Sequence, residues 1–405
     1  MRIALCNWRD LAHPEGGGAE VYARMVAEGL ATSGHEVTFL CAAHAQAPPE
    51  ERINGVRYLR AGSRTTVYSA ARRAIRRLEA ADGPFDVVVD VQNGLPFFAG
   101  WATRSPVVVL VHHVHREQWP VVFSPPVAAL GWGVESRLAP RLNRGRQYVA
   151  VSRSTREELA GLGVDPAHVA VIHNGTLPPP AVTPEVTDGP RLLVLGRVVK
   201  HKRIEHAVDL TRQLREHHPG LRLRVVGDGW WRDELRAHIA ARGAEEYVDL
   251  LGFVDEETKH RELAAASLLL VPSVKEGWGL SVVEAASHGV PAVGYRGAGG
   301  VSESIEDGTT GLLVDGLGAM IDAVDDLLHD TDRLATLGQN ALAHSARFTW
   351  DETVRTWEHV LLRAAWGHRP TASGDHAHPV ALGDPAHPVS SDTLSLTPGT
   401  IRRSS

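Results

Sequence analysis

Two glutamates separated by eight positions flank a glycine-rich turn in the second half of the chain. Glu276 follows Leu268 to Pro272, an apolar run with the length and composition of a buried strand. Glu284 lies one turn into a short predicted helix, roughly Ser281 to His288, which a glycine and a proline then end. The pattern therefore predicts a strand, a flexible turn and a helix, with a carboxylate on each side of the turn.

This arrangement suits a particular kind of ligand. Gly277 and Gly279 let the backbone approach a bound molecule closely, and amides at the start of a helix bind phosphate oxygens. Carboxylates beside those amides accept hydrogen bonds from hydroxyl groups, so the stretch suits a sugar joined to a diphosphate. Ser281 and Glu284 also have the S-x-x-E spacing of a capping box, which is the structural alternative for Glu284. Glu276 has no comparable structural explanation.

The spacing Glu276-x7-Glu284 resembles the signature of retaining, GT-B-fold glycosyltransferases of family 4, also called glycosyl transferases group 1. Alone this spacing is a weak pattern, but four other stretches occur in the order typical of the family and extend the resemblance over residues 1 to about 366. They are Gly16-Gly17-Gly18, Gly196-Arg197 with Lys202, Val226-Gly227-Asp228-Gly229, and Gly299-Gly300 with Glu303 before Asp307-Gly308-Thr309-Thr310-Gly311-Leu312-Leu313. Five motifs in one order make a specific match.

Strand and helix patterns alternate along both halves of the chain, which predicts an α/β fold with two doubly wound, Rossmann-like domains facing across a cleft. We expect an acceptor-side domain over residues 1–177, a Pro-rich linker over 178–190 and a nucleotide-sugar domain over 191–348. The resemblance implies that the helix over 349–366 crosses back to the first domain. The polar composition of residues 367–405 predicts a disordered tail.

The resemblance also implies an activity: transfer of a sugar from a nucleoside diphosphate to an acceptor, with retention of configuration. It assigns Glu276 and His112 to the reacting sugar and the ribose to Glu284. It places Gly17 and Gly18 over the phosphates and the sugar of the donor. By the same resemblance, the diphosphate is bound by Arg197, Lys202 and the amides near Gly279 and Leu280. The base is assigned in this way to the backbone near Phe253 and Val254. The base, the sugar and the acceptor stay open.

Three histidines follow the predicted strand Pro106 to Val111 and raise the question of a metal. Alternation along an extended chain places His113 and His115 on one face and His112 on the other, and no cysteine or carboxylate cluster completes a tetrahedral set. We therefore expect no metal here. The resemblance implies one histidine beside the donor sugar; His112 aligns best with it, and His113 is the rival.

Acceptor contacts are predicted on the first domain. The turn from Asn93 to Phe98 carries aromatic residues that we expect to be exposed, so Asn93 and Phe97 are candidates together with Glu117; packing of this loop under a neighbour is the alternative. The acceptor class stays open between a glycan, a lipid-linked molecule and a small natural product.

A basic stripe lies on the predicted helix Val67 to Ala81. Its members, spaced so that they share one side, are Arg72, Arg73, Arg76 and Arg77. The stripe is either the solvated side of an amphipathic helix or a peripheral contact with an anionic lipid surface.

Composition narrows the class of protein. The 405 residues are 43% hydrophobic and 22% charged, as in soluble globular proteins, and a net charge of −6 gives no reason to expect nucleic acid as a partner. Two cysteines in predicted strands fit a reducing compartment, and no apolar run approaches the roughly 20 residues that span a bilayer. We expect a cytoplasmic location, with at most a peripheral contact at the inner membrane face.

Two motifs suggest other chemistry but lie in the wrong context. Gly227-Asp228-Gly229 with Asp249 is similar to a dinucleotide loop, yet Arg232 replaces the third glycine. Asp330-Thr331-Asp332 could bind a metal, but it lies between two predicted helices, where aspartates cap. We expect no cofactor beyond the nucleotide sugar. The alternatives to a transferase are a sugar-nucleotide epimerase or hydrolase on the same fold, a nicotinamide oxidoreductase and a non-catalytic nucleotide-sugar-binding protein.

Overall fold

The computed structural model describes residues 1–13, 16–183 and 189–367, which form two α/β domains. Most of the predicted tail and the centre of the Pro-rich segment lie outside the described residues. Each domain is built on a sheet of mainly parallel strands, as the alternation of strand and helix patterns predicts. Within the described part of the chain, we find no helix with both the length and the hydropathy needed to cross a bilayer.

The first domain has an eight-stranded sheet in the order β3-β4-β2-β1-β5-β6-β7-β8, parallel except where β3 meets β4. Its strands are β1 (Arg2–Cys6), β2 (Glu36–Cys41), β3 (Glu50–Ile53), β4 (Val56–Arg60), β5 (Val87–Gln92), β6 (Val107–Val111), β7 (Gln147–Ala150) and β8 (Val169–Val171). Its helices are α1 (Gly18–Thr32), α2 (Val67–Asp82), α3 (Trp119–Val122), α4 (Pro125–Gly133), α5 (Ala139–Leu142) and α6 (Arg153–Gly161), and a π-helical turn, Val134–Leu138, joins α4 to α5.

The hairpin formed by β3 and β4 was not predicted. Its two-residue turn is Asn54-Gly55, and both residues have positive φ. An Asn-Gly pair between two extended runs is a strong hairpin signal, because this turn type needs left-handed backbone at both central positions. The sequence therefore carried the signal, and the prediction overlooked it.

The second domain has a six-stranded parallel sheet in the order β11-β10-β9-β12-β13-β14. Its strands are β9 (Arg191–Leu195), β10 (Arg222–Val226), β11 (Val248–Gly252), β12 (Leu268–Val271), β13 (Ala292–Tyr295) and β14 (Gly311–Val314). Its helices are α7 (Ile204–Leu214), α8 (Arg232–Ala241), α9 (Glu256–Ala265), α10 (Leu280–Ala286), α11 (Val301–Ser304), α12 (Gly316–His329) and α13 (Thr331–Ser345). Its aliphatic core is continuous across the sheet and these helices.

The last described helix, α14 (Trp350–Trp366), packs on the first domain. Trp357 is 1% exposed, and its indole N–H donates to the hydroxyl of Tyr22 over 2.7 Å. A Cβ added to Gly29 of α1 would lie 2.3 Å from a methyl of Val354, so α1 and α14 are in close contact. The helix thus packs against the first domain.

Candidate active site

Several candidate site residues lie near the points where the strand order of each sheet reverses. In the first sheet the reversal separates β1 from β5, and the segment that follows β1 leads to Gly17 and Gly18. In the second sheet it separates β9 from β12; Arg197 and Lys202 follow β9, and Glu276 follows β12. Loops at such reversals leave a crevice beyond the carboxyl ends of the strands, and ligands of doubly wound sheets bind there.

Glu276 is the centre of a small ionic cluster. One carboxylate oxygen accepts a hydrogen bond from Ser273 Oγ at 2.6 Å and contacts the ammonium of Lys202. Burial raises the pKa of Glu276, but Lys202 and Ser273 outweigh burial, so that this pKa lies below its ordinary value. Glu276 is therefore an ionised acceptor at neutral pH. Sequence reasoning gave it no structural partner, because Lys202 is 74 positions away.

The turn after Glu276 touches the first domain. A Cβ on Gly277 would lie 2.5 Å from the carbonyl oxygen of His112, so only glycine fits this approach. Trp278 is 3% exposed, belongs to the core of the first domain and stacks on His173 with ring centroids 4.1 Å apart. The stretch that was expected to bind the donor therefore also joins the two domains.

The glycine-rich segment before α1 faces the second domain from the other side. A Cβ on Gly17 would lie 3.5 Å from Nε of Arg197, and one on Gly18 would lie 3.9 Å from a methyl of Leu280. The structure thus brings together four predicted donor residues from opposite domains. The amide of Gly17 already donates to Glu20 at 2.8 Å, a capping contact that the sequence analysis missed.

His112 follows β6 in the first domain, beside the turn that follows Glu276. It is 5% exposed, and among the described residues its Nε2 has no hydrogen-bond partner. Burial lowers its pKa to about 3, so the ring is neutral at physiological pH. His113, the rival candidate, has its Nε2 3.0 Å from Oε1 of Gln118. A buried ring nitrogen without a partner is better suited to a ligand hydroxyl than one already engaged.

The capping-box prediction for Glu284 is wrong. Helix α10 begins at Leu280, one residue earlier than predicted, because Gly279 at φ 90° turns the chain in a left-handed conformation. Ser281 consequently lies inside the helix and caps nothing. Glu284 instead pairs with Lys259 of α9 at 2.8 Å, and burial raises the pKa of Glu284 above its ordinary value despite that lysine.

Phe253 and Val254, the predicted neighbours of the base, follow β11 at the edge of the second sheet. Phe253 is 88% exposed, which leaves its ring able to stack on a planar group. Recognition of a base there stays a prediction.

The expectation of exposed aromatic residues after β5 is wrong for Phe97, which is 1% exposed. The carboxylate of buried Asp90 accepts the amides of Phe97 at 2.8 Å and Ala99 at 3.0 Å and pulls the loop inward. Asn93 donates to the side-chain oxygen of Asn7 at 3.0 Å, while Glu117 is exposed. Only Asn93 and Glu117 therefore remain as candidate acceptor contacts, and neither role is tested.

The basic stripe on α2 is divided. Arg72 donates to the carbonyl of Phe97 at 3.0 Å, and Arg76 donates to that of Trp101 at 2.7 Å. Both side chains therefore bind the loop that Asp90 organises. Arg73 and Arg77 are exposed. A contact between this stripe and an anionic membrane surface stays a prediction.

Asp249 of the dinucleotide-like sequence and Asp330 of the D-x-D sequence both have structural partners. Asp249 pairs with Arg222 and Arg224, each at 3.0 Å, and so has a partner other than a ribose. Asp330 caps α13 by accepting the amide of Arg333 at 2.9 Å, as predicted for the D-x-D sequence.

Glu303 has a role that sequence reasoning missed. Its two carboxylate oxygens accept the amides of Ser154 at 2.7 Å and Arg153 at 2.8 Å, at the first turn of α6 in the other domain. Burial raises the pKa of Glu303, but the His173 ring, whose Nε2 lies 3.5 Å from the carboxylate, and the hydrogen bonds from these two amides bring the pKa below its ordinary value. Close by, Lys275 pairs with Glu158 of α6. No local signal could find these contacts, because the partners are more than 100 positions apart.

Comparisons with known proteins agree with this two-domain arrangement. The family model described as Glycosyltransferase Family 4 matches residues 16–176, and the model described as Glycosyl transferases group 1 matches residues 180–344. A D-inositol 3-phosphate glycosyltransferase from Nocardia farcinica is 33% identical over 194 residues, which are 46% of this chain and 43% of that protein. The chain spans less than half the length of the first curated relatives that it matches.

Solved structures resemble the chain over most of its length. Sucrose-phosphate synthase from Thermosynechococcus elongatus matches with a TM-score of 0.75 at 20% identity, covering 89% of this chain and 98% of that one. Anabaena HepE in complex with UDP-glucose matches with a TM-score of 0.71 at 20% identity, covering 89% and 99%. At such identity the likeness shows the fold alone.

Proposed function

The chain belongs to the glycosyltransferases of family 4 and group 1, whose fold is GT-B, and from this premise we propose that it transfers a sugar from a nucleoside diphosphate to an acceptor with retention of configuration. The observation that carries the proposal is the cluster of Lys202, Glu276 and Ser273 at the strand reversal of the second domain. It combines a cation for a diphosphate with an ionised acceptor for sugar hydroxyls at one point.

The leaving diphosphate gains negative charge as the glycosidic bond breaks. Lys202 and Arg197, both at the carboxyl end of β9, offset that charge together with amides near Gly279 and Leu280. Such groups accelerate the reaction because they are held in place before the charge develops. Lys202 is held by its contact with Glu276.

The sugar lies between the two domains. Glu276 accepts its hydroxyl hydrogens from the second domain, and Nε2 of His112 meets it from the first. Because His112 is neutral, it orients a hydroxyl without adding positive charge beside the anomeric carbon. Glu284 binds the ribose from α10, and the backbone near Phe253 and Val254 binds the base.

A thermal-shift and turnover panel tests the proposal. The full-length chain is mixed with uridine, guanosine and adenosine diphosphate sugars, each with and without candidate acceptors that include inositol phosphate, glycans and lipid-linked sugars. A uridine donor is the first choice, because the HepE structure holds UDP-glucose and has the same fold. Transfer with an unchanged anomeric configuration, measured by proton NMR, is the expected result.

Other outcomes identify the rival functions. Donor hydrolysis or epimerisation without transfer indicates a hydrolase or epimerase, and donor binding without turnover indicates a binding protein. Bound nicotinamide absorbance indicates an oxidoreductase. An inverted product contradicts the retaining mechanism.

Turnover is expected to proceed without a divalent ion, because Arg197 and Lys202 supply the positive charge at the diphosphate and Asp330 of the D-x-D sequence caps a helix. Assays with a chelator test this expectation. Activity that chelator abolishes and magnesium or manganese restores would show that the protein cations are insufficient.

A further inference from the structure

A group of histidines surrounds one aspartate on the second domain. His217 and His218 follow α7, while Asp325 and His329 lie on α12. Among the described residues, His218, Asp325 and His329 each offer one ligand atom within 4.8 Å of the other two. None of the roles proposed for the crevice uses this cluster.

The distances show how closely the groups converge. Nε2 of His218 lies 2.8 Å from Oδ1 of Asp325, and Nδ1 of His329 lies 3.5 Å from the same oxygen. Nδ1 of His329 also donates to the backbone carbonyl of Asp325 at 2.9 Å, a hydrogen bond that an ion bound at this nitrogen replaces. Nδ1 of His217 is 3.4 Å from the other carboxylate oxygen, Oδ2. The rings of His218 and His329 are 4.7 Å apart. Each oxygen of the Asp325 carboxylate therefore has at least one imidazole nitrogen within 3.5 Å.

We propose that His218, Asp325 and His329 bind a divalent transition-metal ion of the zinc type. Asp325 and His329 are four positions apart on one helix, so both face the same side, and His218 approaches from a separate segment. Ligands at about 2.0–2.1 Å from a tetrahedral ion lie about 3.4 Å from one another. The 3.5 Å separation already has this value, and a small rotation of the His218 ring widens the 2.8 Å separation to it.

The donor set fits the ion in chemistry as well as in distance. Two neutral imidazoles and one carboxylate are ligands that zinc accepts, and they carry a single negative charge that a dication offsets. The His329 side chain is 60% exposed, which gives an ion access from solvent, while that of His218 is 13% exposed and so is held in place. Water completes the coordination. His217, on the oxygen opposite the ligand oxygen, orients the carboxylate.

The consequence is structural and not catalytic. The ion would fasten the chain after α7 to α12, which packs beside α7 in the core of the second domain. Helix α7 has 11 residues and is therefore about 16 Å long, and Lys202 precedes its opposite end. Binding at this site stabilises the domain without placing a metal at the proposed donor site. The inference is independent of the proposed function.

Zinc titration of the full-length chain tests the site against two variants that each remove one ligand, Asp325→Asn and His329→Gln. His359→Gln, which removes an exposed histidine on α14, is the matched control. All proteins keep the same C-terminal residues, so histidines there contribute equally to every titration. We expect the wild type and the control to show one site with at least tenfold tighter affinity than either ligand variant, and a rise in melting temperature with zinc that the ligand variants lose.

Cobalt provides a second readout that unspecific binding does not mimic. With Co²⁺ in place of Zn²⁺, the wild type should develop the intense visible absorption of a tetrahedral ion, and Asp325→Asn should not. Melting in chelator shows that the variants are folded, and turnover in chelator should equal that of the untreated enzyme. Equal zinc affinity and equal stoichiometry in the wild type and both ligand variants would overturn the proposal.

Discussion

The two sides of the crevice, a second-domain wall that contains Glu276 and a first-domain wall that contains His112, stabilise their buried polar groups in opposite ways. On the second-domain wall the charge of Glu276 is kept and neutralised by a partner, because Lys202 contacts this carboxylate and helps to hold its pKa below the ordinary value. On the first-domain wall His112 loses its charge, because burial lowers its pKa to about 3. The difference fits the proposed roles, in which the second-domain side meets the charged leaving group and the first-domain side meets the neutral sugar.

The physical reason lies in the number of available partners. A half-buried charge is tolerated when an opposite charge and a hydrogen bond compensate for lost water, and the loops after β9 and β12 supply both. His112 has no carboxylate within hydrogen-bond reach among the described residues, so deprotonation is its least costly state. The three predictions below test this contrast, beginning with the largest expected effect.

The substitution Glu276→Gln removes the carboxylate charge from the second-domain wall. We expect turnover to fall by about two orders of magnitude, the scale of losing one transition-state contact, because a glutamine neither balances Lys202 nor accepts two hydroxyl hydrogens as strongly. The melting temperature should also fall, since Lys202 is left without its counter-charge. Turnover at saturating donor and differential scanning calorimetry measure the two effects.

Glu284→Gln is the matched control within the same wall. Lys259 keeps a second partner, Glu256 at 2.7 Å, so stability should change little. A ribose ligand acts mainly on binding, so donor affinity should fall several-fold while saturated turnover stays within a small factor. If Glu276→Gln turns over like the wild type, the proposed site has no chemical support.

The substitution His112→Gln removes the imidazole from the first-domain wall. We expect turnover to fall by roughly tenfold or more, because one contact with the sugar is lost. The substitution also changes how the free energy of unfolding depends on pH, and this effect is more specific to His112. Between pH 6.5 and about 3 the unfolded chain binds a proton that folded His112 does not, so the free energy of unfolding falls as pH is lowered. This histidine contributes at most about 1.4 kcal/mol per pH unit.

Denaturant unfolding between pH 5 and 8 measures that slope. It should be shallower in His112→Gln than in the wild type, while His359→Gln, at an exposed position, should leave it unchanged. Parallel slopes for all three proteins would mean that His112 binds protons equally in the folded and unfolded chains, and burial would then not be what keeps this side chain neutral.

The smallest effect is expected where the two walls touch. Glu303→Ala removes the acceptor for two amides of α6, and loss of a helix cap costs about 1 kcal/mol. In a protein of this size that amounts to a fall of about 2 °C in melting temperature. Glu257→Ala, at an exposed position on α9, is the control. Identical melting of both variants and the wild type would show that Glu303 does not fasten the domains.

Much of this site could be predicted from local patterns. Strands and helices were recognised by their periodicity, and the order of the motifs placed Arg197, Lys202 and Glu276 after strands of the second sheet. Parallel strands end at the same edge, so residues that follow them must meet whatever their sequence separation. The helix cap at Asp330 was equally local, because its partner Arg333 is three residues away.

The errors came from contacts that no local pattern encodes. Phe97 is buried because Asp90 draws its amide inward, and Glu284 pairs with Lys259 from another helix. Ser281 and Glu284 have the spacing of a capping box, but the left-handed conformation of Gly279 starts α10 at Leu280. Ser281 therefore lies inside the helix and cannot act as its N-cap.

The sequence by itself determined the alternation of elements, the glycine turns and the strand ends at which charge accumulates, because periodicity and backbone conformation depend on neighbouring residues. Only the tertiary structure decided which buried group keeps its charge. Glu276 stays ionised because packing places Lys202 beside it, and His112 is neutral because packing places no counter-charge within reach among the described residues. Desolvation and the Coulomb energy depend on distance in space, and distance along the chain does not determine either one.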